Sequence, residues 1–189
     1  MLRQLGGVVL AAVVLFIWGF VYWGVSAVPY SAWSHAADDT AAQQALRTHF
    51  PRTGTYFVPD VRSSAARPAA ASSADGPNVM LHVRYDAPPP GDPAELARGF
   101  VVNLIFAGAL ALLMYRVRSA SRTYAGRLGV ALWAGVAGVV LIDGGDWAWW
   151  GTTMQWKLFQ AFYDFSAFVL AGAVLAAFIR AEVRRTRYT

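Results

Sequence analysis

Four long apolar runs constrain this chain more than any other feature of its sequence. A helix needs about 20 mainly apolar residues to cross a hydrocarbon layer of ~30 Å. Of the 189 residues, 57% are apolar and only 14% are charged. Soluble domains carry about 25% charged residues, so this composition argues against an ordinary soluble enzyme, a disordered chain or a disulfide scaffold. The sequence therefore predicts an integral membrane protein.

The predicted fold is all-α in the membrane: a four-transmembrane-helix bundle with a small α+β extracytoplasmic insertion between helices 1 and 2. The predicted transmembrane helices are residues 1–28, 96–115, 128–146 and 155–179. The insertion covers residues 29–95, and a basic tail covers residues 180–189.

The first apolar run could be misread as a cleavable signal peptide. Its length exceeds the usual core of about 7–15 residues in such peptides. It also contains Trp18 and Trp23. We therefore interpret residues 1–28 as a retained membrane anchor.

Arginines crowd one side of the predicted membrane domain. Those that flank the helices there are Arg116, Arg118, Arg122, Arg127, Arg180, Arg184, Arg185 and Arg187. Short cytoplasmic loops are enriched in Lys and Arg, so both termini are expected in the cytoplasm and the insertion outside it. The layout resembles small bacterial inner-membrane proteins that combine a few helices with an outward insertion, its most distinctive stretches being Asp146–Gly151 and Tyr163-Asp164. The expected location is thus a bacterial inner membrane, crossed several times.

The insertion is predicted to contain one helix and two strands. Asp38–Phe50 has a capping aspartate, helix formers and a terminating proline, whereas Thr55–Val58 consists of strand formers. Val79–Tyr85 alternates apolar and polar residues, which indicates a half-buried strand. The Ser-, Ala- and Pro-rich residues 61–77 between the strands are predicted to form a mobile loop. With few large apolar residues, this unit is expected to rest on the membrane domain or on another protein.

Six polar residues are predicted to form an interhelical cluster. They are Arg98, Asn103, Asp143, Asp146, Lys157 and Asp164. A charge inside a membrane costs at least about 2.5 kcal/mol, so Asp164 needs a partner or water. The candidate partners are Asn103, Arg98, Asp143 and Tyr163. That bond would fix the register of the helices.

Two other interpretations of these carboxylates stay open. In one, Asp143, Asp146 and Asp164 form an outward-facing site for a cation, a proton or a cationic substrate. In the other, they perform acid–base chemistry on a lipid. Gly144-Gly145, between two of the aspartates, permits a tight turn, which favours a loop or a bound ligand.

Tryptophans gather at the opposite side from the arginines. The predicted interface aromatics are Trp23, Trp33, Trp147, Trp149, Trp150 and Trp156. Indole rings settle at the level of lipid headgroups, so an aromatic belt is the expected role. A stacking surface for a quinone, a sugar or a partner subunit is the alternative.

Cysteine is absent from the chain, and histidine is scarce. Iron–sulfur clusters ligated by Cys, covalent c-type haem and thiol catalysis are therefore excluded. His35, His49 and His82 have no spacing typical of metal ligands and lie outside the apolar runs, so only the fold could bring them together on a metal. We expect no metal, no cofactor and, because the cations flank the membrane helices, no nucleic acid.

No sequence motif in the chain indicates a particular reaction. We therefore expect a non-catalytic accessory, assembly or stabilising subunit of a larger membrane complex, such as a respiratory or transport complex. Its partners would be membrane lipid and other subunits or further copies of itself. The alternatives are a small ion- or proton-coupled transporter or ligand-binding membrane protein, which would use the outer carboxylates, and a lipid-modifying enzyme.

Overall fold

The computed structural model describes residues 2–60 and 76–179. They divide into two compact units: one holds the long helices, and the other is the insertion Ser34–Asp92. In chain order the helices and strands are α1 (Leu2–Gly19), α2 (Asp39–His49), β1 (Gly54–Val58), β2 (Val79–Val83), α3 (Pro93–Arg116), α4 (Tyr124–Trp150) and α5 (Met154–Phe178). A π-helical turn, Phe20–Val25, extends α1, and a short 3-10 helix, Pro29–Ala32, follows it.

Four of these helices are long and apolar enough to cross a membrane. They are α1 with its π-helical extension, α3, α4 and α5. At a rise of 1.5 Å per residue, the 24-residue span of α3 covers roughly 36 Å, more than a hydrocarbon layer requires. The prediction of four helices of this kind is confirmed.

The tight turn that Gly144-Gly145 would permit does not form. Both glycines lie inside α4, which continues to Trp150 and ends at Gly151, whose φ of 65° is left-handed. Glycine adopts that conformation without steric cost, so Gly151 is the residue that stops the helix. The consequence is that Asp143 and Asp146, three residues apart, project from one helical face.

The helix α5 lies at the centre of the long-helix unit. It packs along α4 on one side and α1 on the other, and α3 packs mainly against α1. Glycine permits the close approaches: a side chain at Gly172 would overlap Ala131 of α4, and one at Gly7 would meet Phe178 at 2.7 Å. Small residues at helix contacts are typical of membrane helices, where packing replaces the hydrophobic effect.

Arginines from two helices satisfy the last carbonyls of α5. Nε of Arg127, a residue of α4 that is only 9% exposed, donates to the carbonyl of Ala176 at 3.0 Å. Arg3, in the first turn of α1, donates to the carbonyl of Ala177 at 2.7 Å. The last carbonyls of a helix have no partner within the helix and carry its negative dipole end, so a guanidinium group is a favourable cap.

The insertion has the elements expected from the sequence. Asp38 accepts a hydrogen bond from the amide of Ala41 at 3.0 Å and begins α2. The strands β1 and β2 pair antiparallel, with Tyr56 opposite Leu81. The predicted loop 61–77 lies almost wholly, and the tail 180–189 entirely, outside the described residues.

Candidate functional site

Lys157 is a buried cation that joins α5 to α4. Its Nζ lies 2.6 Å from Oδ2 of Asp146 and 3.4 Å from Oδ1 of Asp143. Lys157 is 6% exposed and Asp143 is 4% exposed. Because the two aspartates are one helical turn apart on α4, a single ammonium group reaches both.

Asp164 lies two turns further along the same face of α5 and extends the cluster. Its carboxyl group lies within hydrogen-bonding reach of Asp143 and interacts electrostatically with Lys157. When all four side chains are ionised, three carboxylates face one ammonium group, which leaves two negative charges uncompensated. Ionised carboxyl groups only accept hydrogen bonds, so the contact between Asp143 and Asp164 needs a shared proton or an external donor.

The cluster is also short of hydrogen-bond donors. Among the described residues, Oδ2 of Asp143 and Oε1 of Gln160 are buried without a hydrogen-bond donor. Gln160 lies between Lys157 and Asp164 along the same helical face. Both unpaired atoms are acceptors, and leaving such a group unpaired costs about 1–3 kcal/mol.

A lateral cleft of about 370 Å³ opens beside this cluster. Its polar lining consists of Asn103, Tyr163 and Asp164, and its apolar lining includes Phe106, Ile142 and Phe168. Helices α3 and α4 make few contacts with each other, so the cleft lies where they part. Small-molecule sites typically have volumes of about 300–1,000 Å³, are mostly apolar and hold a few polar groups.

The structure brings most, but not all, of the predicted polar cluster together. Lys157 contacts Asp143 and Asp146, and Asp164 interacts with Asp143 and Lys157. Asn103 only lines the same cleft as Asp164. Arg98, with a side chain 66% exposed, lies 3.7 Å from Glu95 on its own helix. The partner of Asp164 is therefore Asp143, one of the candidate partners expected from the sequence.

Aromatic side chains from the π-helical extension of α1, from the end of the 3-10 helix and from α5 form a second cluster. Trp23 lies 5.7 Å from Trp156 and 5.3 Å from Tyr163 between ring centroids, and Trp33 lies 5.7 Å from Trp156. Sequence reasoning missed Tyr22, whose hydroxyl donates to the carbonyl of Phe159 at 2.9 Å and whose ring stacks on Tyr163. The spacing of Trp156 and Tyr163, seven residues apart, could have indicated a shared helical face.

The other three predicted interface tryptophans lie at the end of α4. Trp147, Trp149 and Trp150 are all exposed, and Trp149 most of all. Of the six tryptophans, only Trp23, Trp33 and Trp156 thus pack against one another. The exposed three remain predicted interface residues.

The insertion presents apolar side chains on an open sheet face. Phe57 and Met80 are cross-strand partners, 41% and 38% exposed. The neighbouring pair on that face is Thr55 and His82, whose Oγ1 and Nδ1 lie 3.0 Å apart. None of the described residues of the insertion is buried.

The histidines do not assemble into a metal site in the described structure. His82 is paired with Thr55, while His49 ends α2 and His35 precedes it. No group of three His, Asp or Glu side chains among the described residues is arranged to hold a metal ion.

Comparison with known protein families, curated proteins and solved structures finds no match for this chain. What the polar cluster and the insertion can bind is therefore inferred from their geometry. The cluster of Lys157 with the three aspartates can hold a proton or a cationic group beside an apolar cleft. The open face of the insertion can bind an apolar surface of another protein.

Proposed function

We propose that this protein is a non-catalytic accessory or stabilising subunit of a larger complex in a bacterial inner membrane. The observation that carries the proposal is the insertion, which folds without a buried residue in its described part and still exposes Phe57 and Met80 side by side. In this proposal a partner protein buries the exposed apolar side chains of the insertion.

The physical argument rests on how little an isolated two-stranded sheet can bury. Such a sheet is marginally stable in water, and three strands or a covering element are needed for independent stability. Fully burying a side chain such as Phe or Met contributes about 1.5–3 kcal/mol. A partner that covered Phe57 and Met80 would therefore stabilise the sheet and bind through it.

The proposed orientation places both termini and the arginine-rich turn after α3 in the cytoplasm, with the insertion outside. The arginines near the end of α3 and the start of α4 support it, because cytoplasmic loops are enriched in such cations. The aromatic cluster at the other end of α5 is consistent with a headgroup layer there.

The test is the composition of the complex after gentle solubilisation. Full-length tagged protein is expressed in its own membrane, extracted in mild detergent and sized by native electrophoresis with subunit identification by mass. We expect a complex that contains the chain together with defined other subunits. The double variant Phe57→Thr/Met80→Thr should lose most of those subunits, because threonine keeps the strand propensity and removes the apolar contact.

A matched control uses exposed polar residues of the same insertion. Gln43 and Gln44 lie on α2, and the double variant Gln43→Ala/Gln44→Ala should leave the complex intact. A wild-type chain that migrates alone or as a monodisperse homo-oligomer would overturn the proposal, as would equal retention of subunits by both double variants.

A second candidate function is ligand binding or ion-coupled transport through the outer carboxylates. The specific observation in its favour is that Asp164, part of a cluster with excess negative charge, lines an open cleft. Under this alternative, Asp164→Asn would abolish flux in reconstituted vesicles, whereas an accessory subunit would keep its assembly.

A further inference from the structure

We propose that the lateral cleft beside Asp164 binds an amphiphilic amine, with its ammonium group at the Asp164 carboxylate and its apolar body between the helices. This inference goes beyond the accessory role and does not depend on the partner of the insertion. It rests on the negative charge of the aspartate cluster beside the cleft and on the mixed polar and apolar lining of the cleft.

The carboxyl group of Asp164 in the cleft lining favours a cationic ligand. When the three aspartates are ionised, Lys157 compensates only one of them, so an anionic ligand would add to the negative excess. Unpaired charge is costly at this depth, because Asp164 is ten residues, roughly 15 Å, along α5 from Met154. A bound ammonium group would reduce that cost directly.

The hydrogen-bonding pattern selects an amine in particular. Asp164 presents a carboxyl group to the cleft, beside the polar side chains of Asn103 and Tyr163. A primary ammonium group carries three N–H donors and no acceptor, as the lysine side chain does. A quaternary ammonium group has none, so it would compensate the charge without serving the acceptors.

The rest of the cleft selects an apolar body. Phe106, Ile142 and Phe168 contribute hydrocarbon and aromatic walls, and the volume of about 370 Å³ suits a compact small molecule. A second cleft of about 250 Å³, on the α4–α5 surface near Trp147, has an almost wholly apolar lining. Asp143 and Lys157 also border that second cleft, but they are paired with each other, whereas an acyl chain in the first cleft would leave the polar groups of Asn103, Tyr163 and Asp164 without a partner from the ligand.

The experiment measures binding of 1-aminoadamantane to the full chain in phosphatidylcholine nanodiscs by titration calorimetry, with empty nanodiscs as the blank. Phosphatidylcholine is chosen because it has no primary amine to compete. The neutral probe 1-adamantanol has the same apolar cage without the charge. We expect saturable, one-site binding of the amine that is at least tenfold tighter than binding of the alcohol.

Two variants separate the carboxylate from the space it faces. Asp164→Asn keeps the shape of the side chain and should reduce the preference for amine over alcohol to near unity. Gly138→Val adds carbon atoms to the cleft wall, where a Cβ would meet Phe168 in ordinary contact at 3.5 Å, and should weaken both probes at least tenfold. Gly129→Val on the same helix, in open space, should change neither.

Three results would overturn the proposal. Equal binding of the amine and the alcohol would mean that the cleft takes any apolar body, including an acyl chain. Unchanged amine selectivity in Asp164→Asn would place the cation elsewhere. Absence of saturable amine binding to the wild-type chain would leave only a proton for the cluster.

Discussion

Lys157 is the residue on which the polar contact between α4 and α5 depends. It is buried and reaches two carboxylates one helical turn apart on the facing helix. The net stability of a buried ion pair is small, because desolvation offsets most of the attraction. Removing only the cation is different, since it leaves buried carboxylates without compensation.

We expect Lys157→Met to lower the free energy of unfolding by about 3–5 kcal/mol, the cost of breaking a buried pair. The measurement is denaturant unfolding in detergent, followed by tryptophan fluorescence. Arg98→Met is the control: its exposed pair with Glu95 should contribute no more than about 1 kcal/mol. Similar losses in the two variants would contradict the importance of Lys157.

The sequence could predict the members of this polar cluster better than its pairs. Lys157, Gln160 and Asp164 are spaced three and four residues apart, so the sequence predicts that they share one helical face. The residue on α4 that contacts Asp164 cannot be predicted from spacing along the sequence. It depends on the rotation of α4 about its axis, which is fixed by close contacts such as Gly172 with Ala131.

Among the elements, the pairing of α4 with α5 depends on glycine. A Cβ at Gly172 would overlap the Cβ of Ala131, and one at Gly135 would lie 2.8 Å from the Cβ of Phe168. Neither neighbour is the flexible tip of a side chain, so the helix backbones would have to move apart. The cluster of Lys157 with Asp143 and Asp146 would move with them.

We expect Gly172→Ala to lower the free energy of unfolding by about 1–3 kcal/mol, the usual cost of overpacking. Gly129→Ala is the matched control, because its added methyl group meets nothing within 4 Å. That change should be neutral or stabilising by up to about 1 kcal/mol through helix propensity. Thermal unfolding in detergent compares the two; a Gly172→Ala protein as stable as the Gly129→Ala protein would contradict the close contact.

The end of α4 was less predictable than its core. Gly144-Gly145 has a local preference against helix of about 1 kcal/mol per residue. In a lipid environment each unsatisfied backbone group costs several kcal/mol, so a helix that continues through both glycines is favoured over a turn. Local propensity thus permits a turn at Gly144-Gly145, whereas backbone hydrogen bonding extends the helix beyond the predicted end at residue 146 to Trp150.

For the whole molecule, the proposed orientation in the membrane depends on where the arginines lie along the chain. The chain contains no cysteine, so single thiols can be introduced without removing any. Ser34, after the first apolar span, and Ser119, between α3 and α4, are both exposed. They lie on opposite sides of the membrane in the proposed topology.

We expect Ser34→Cys, but not Ser119→Cys, to react with a membrane-impermeant maleimide on intact cells, because positively charged loops are retained inside. Both variants should react after the membrane is permeabilised, which controls for accessibility. Labelling of Ser119→Cys on intact cells would invert the proposed topology and place the insertion in the cytoplasm.

The arginine caps on the last turn of α5 have a consequence for biosynthesis. Arg127 and Arg3 are made before the carbonyls of Ala176 and Ala177 that they bind. Until α5 has been synthesised, both guanidinium groups must find temporary acceptors in lipid phosphates or water. The contacts at this end of the long-helix unit can therefore be completed only after α5 has been made.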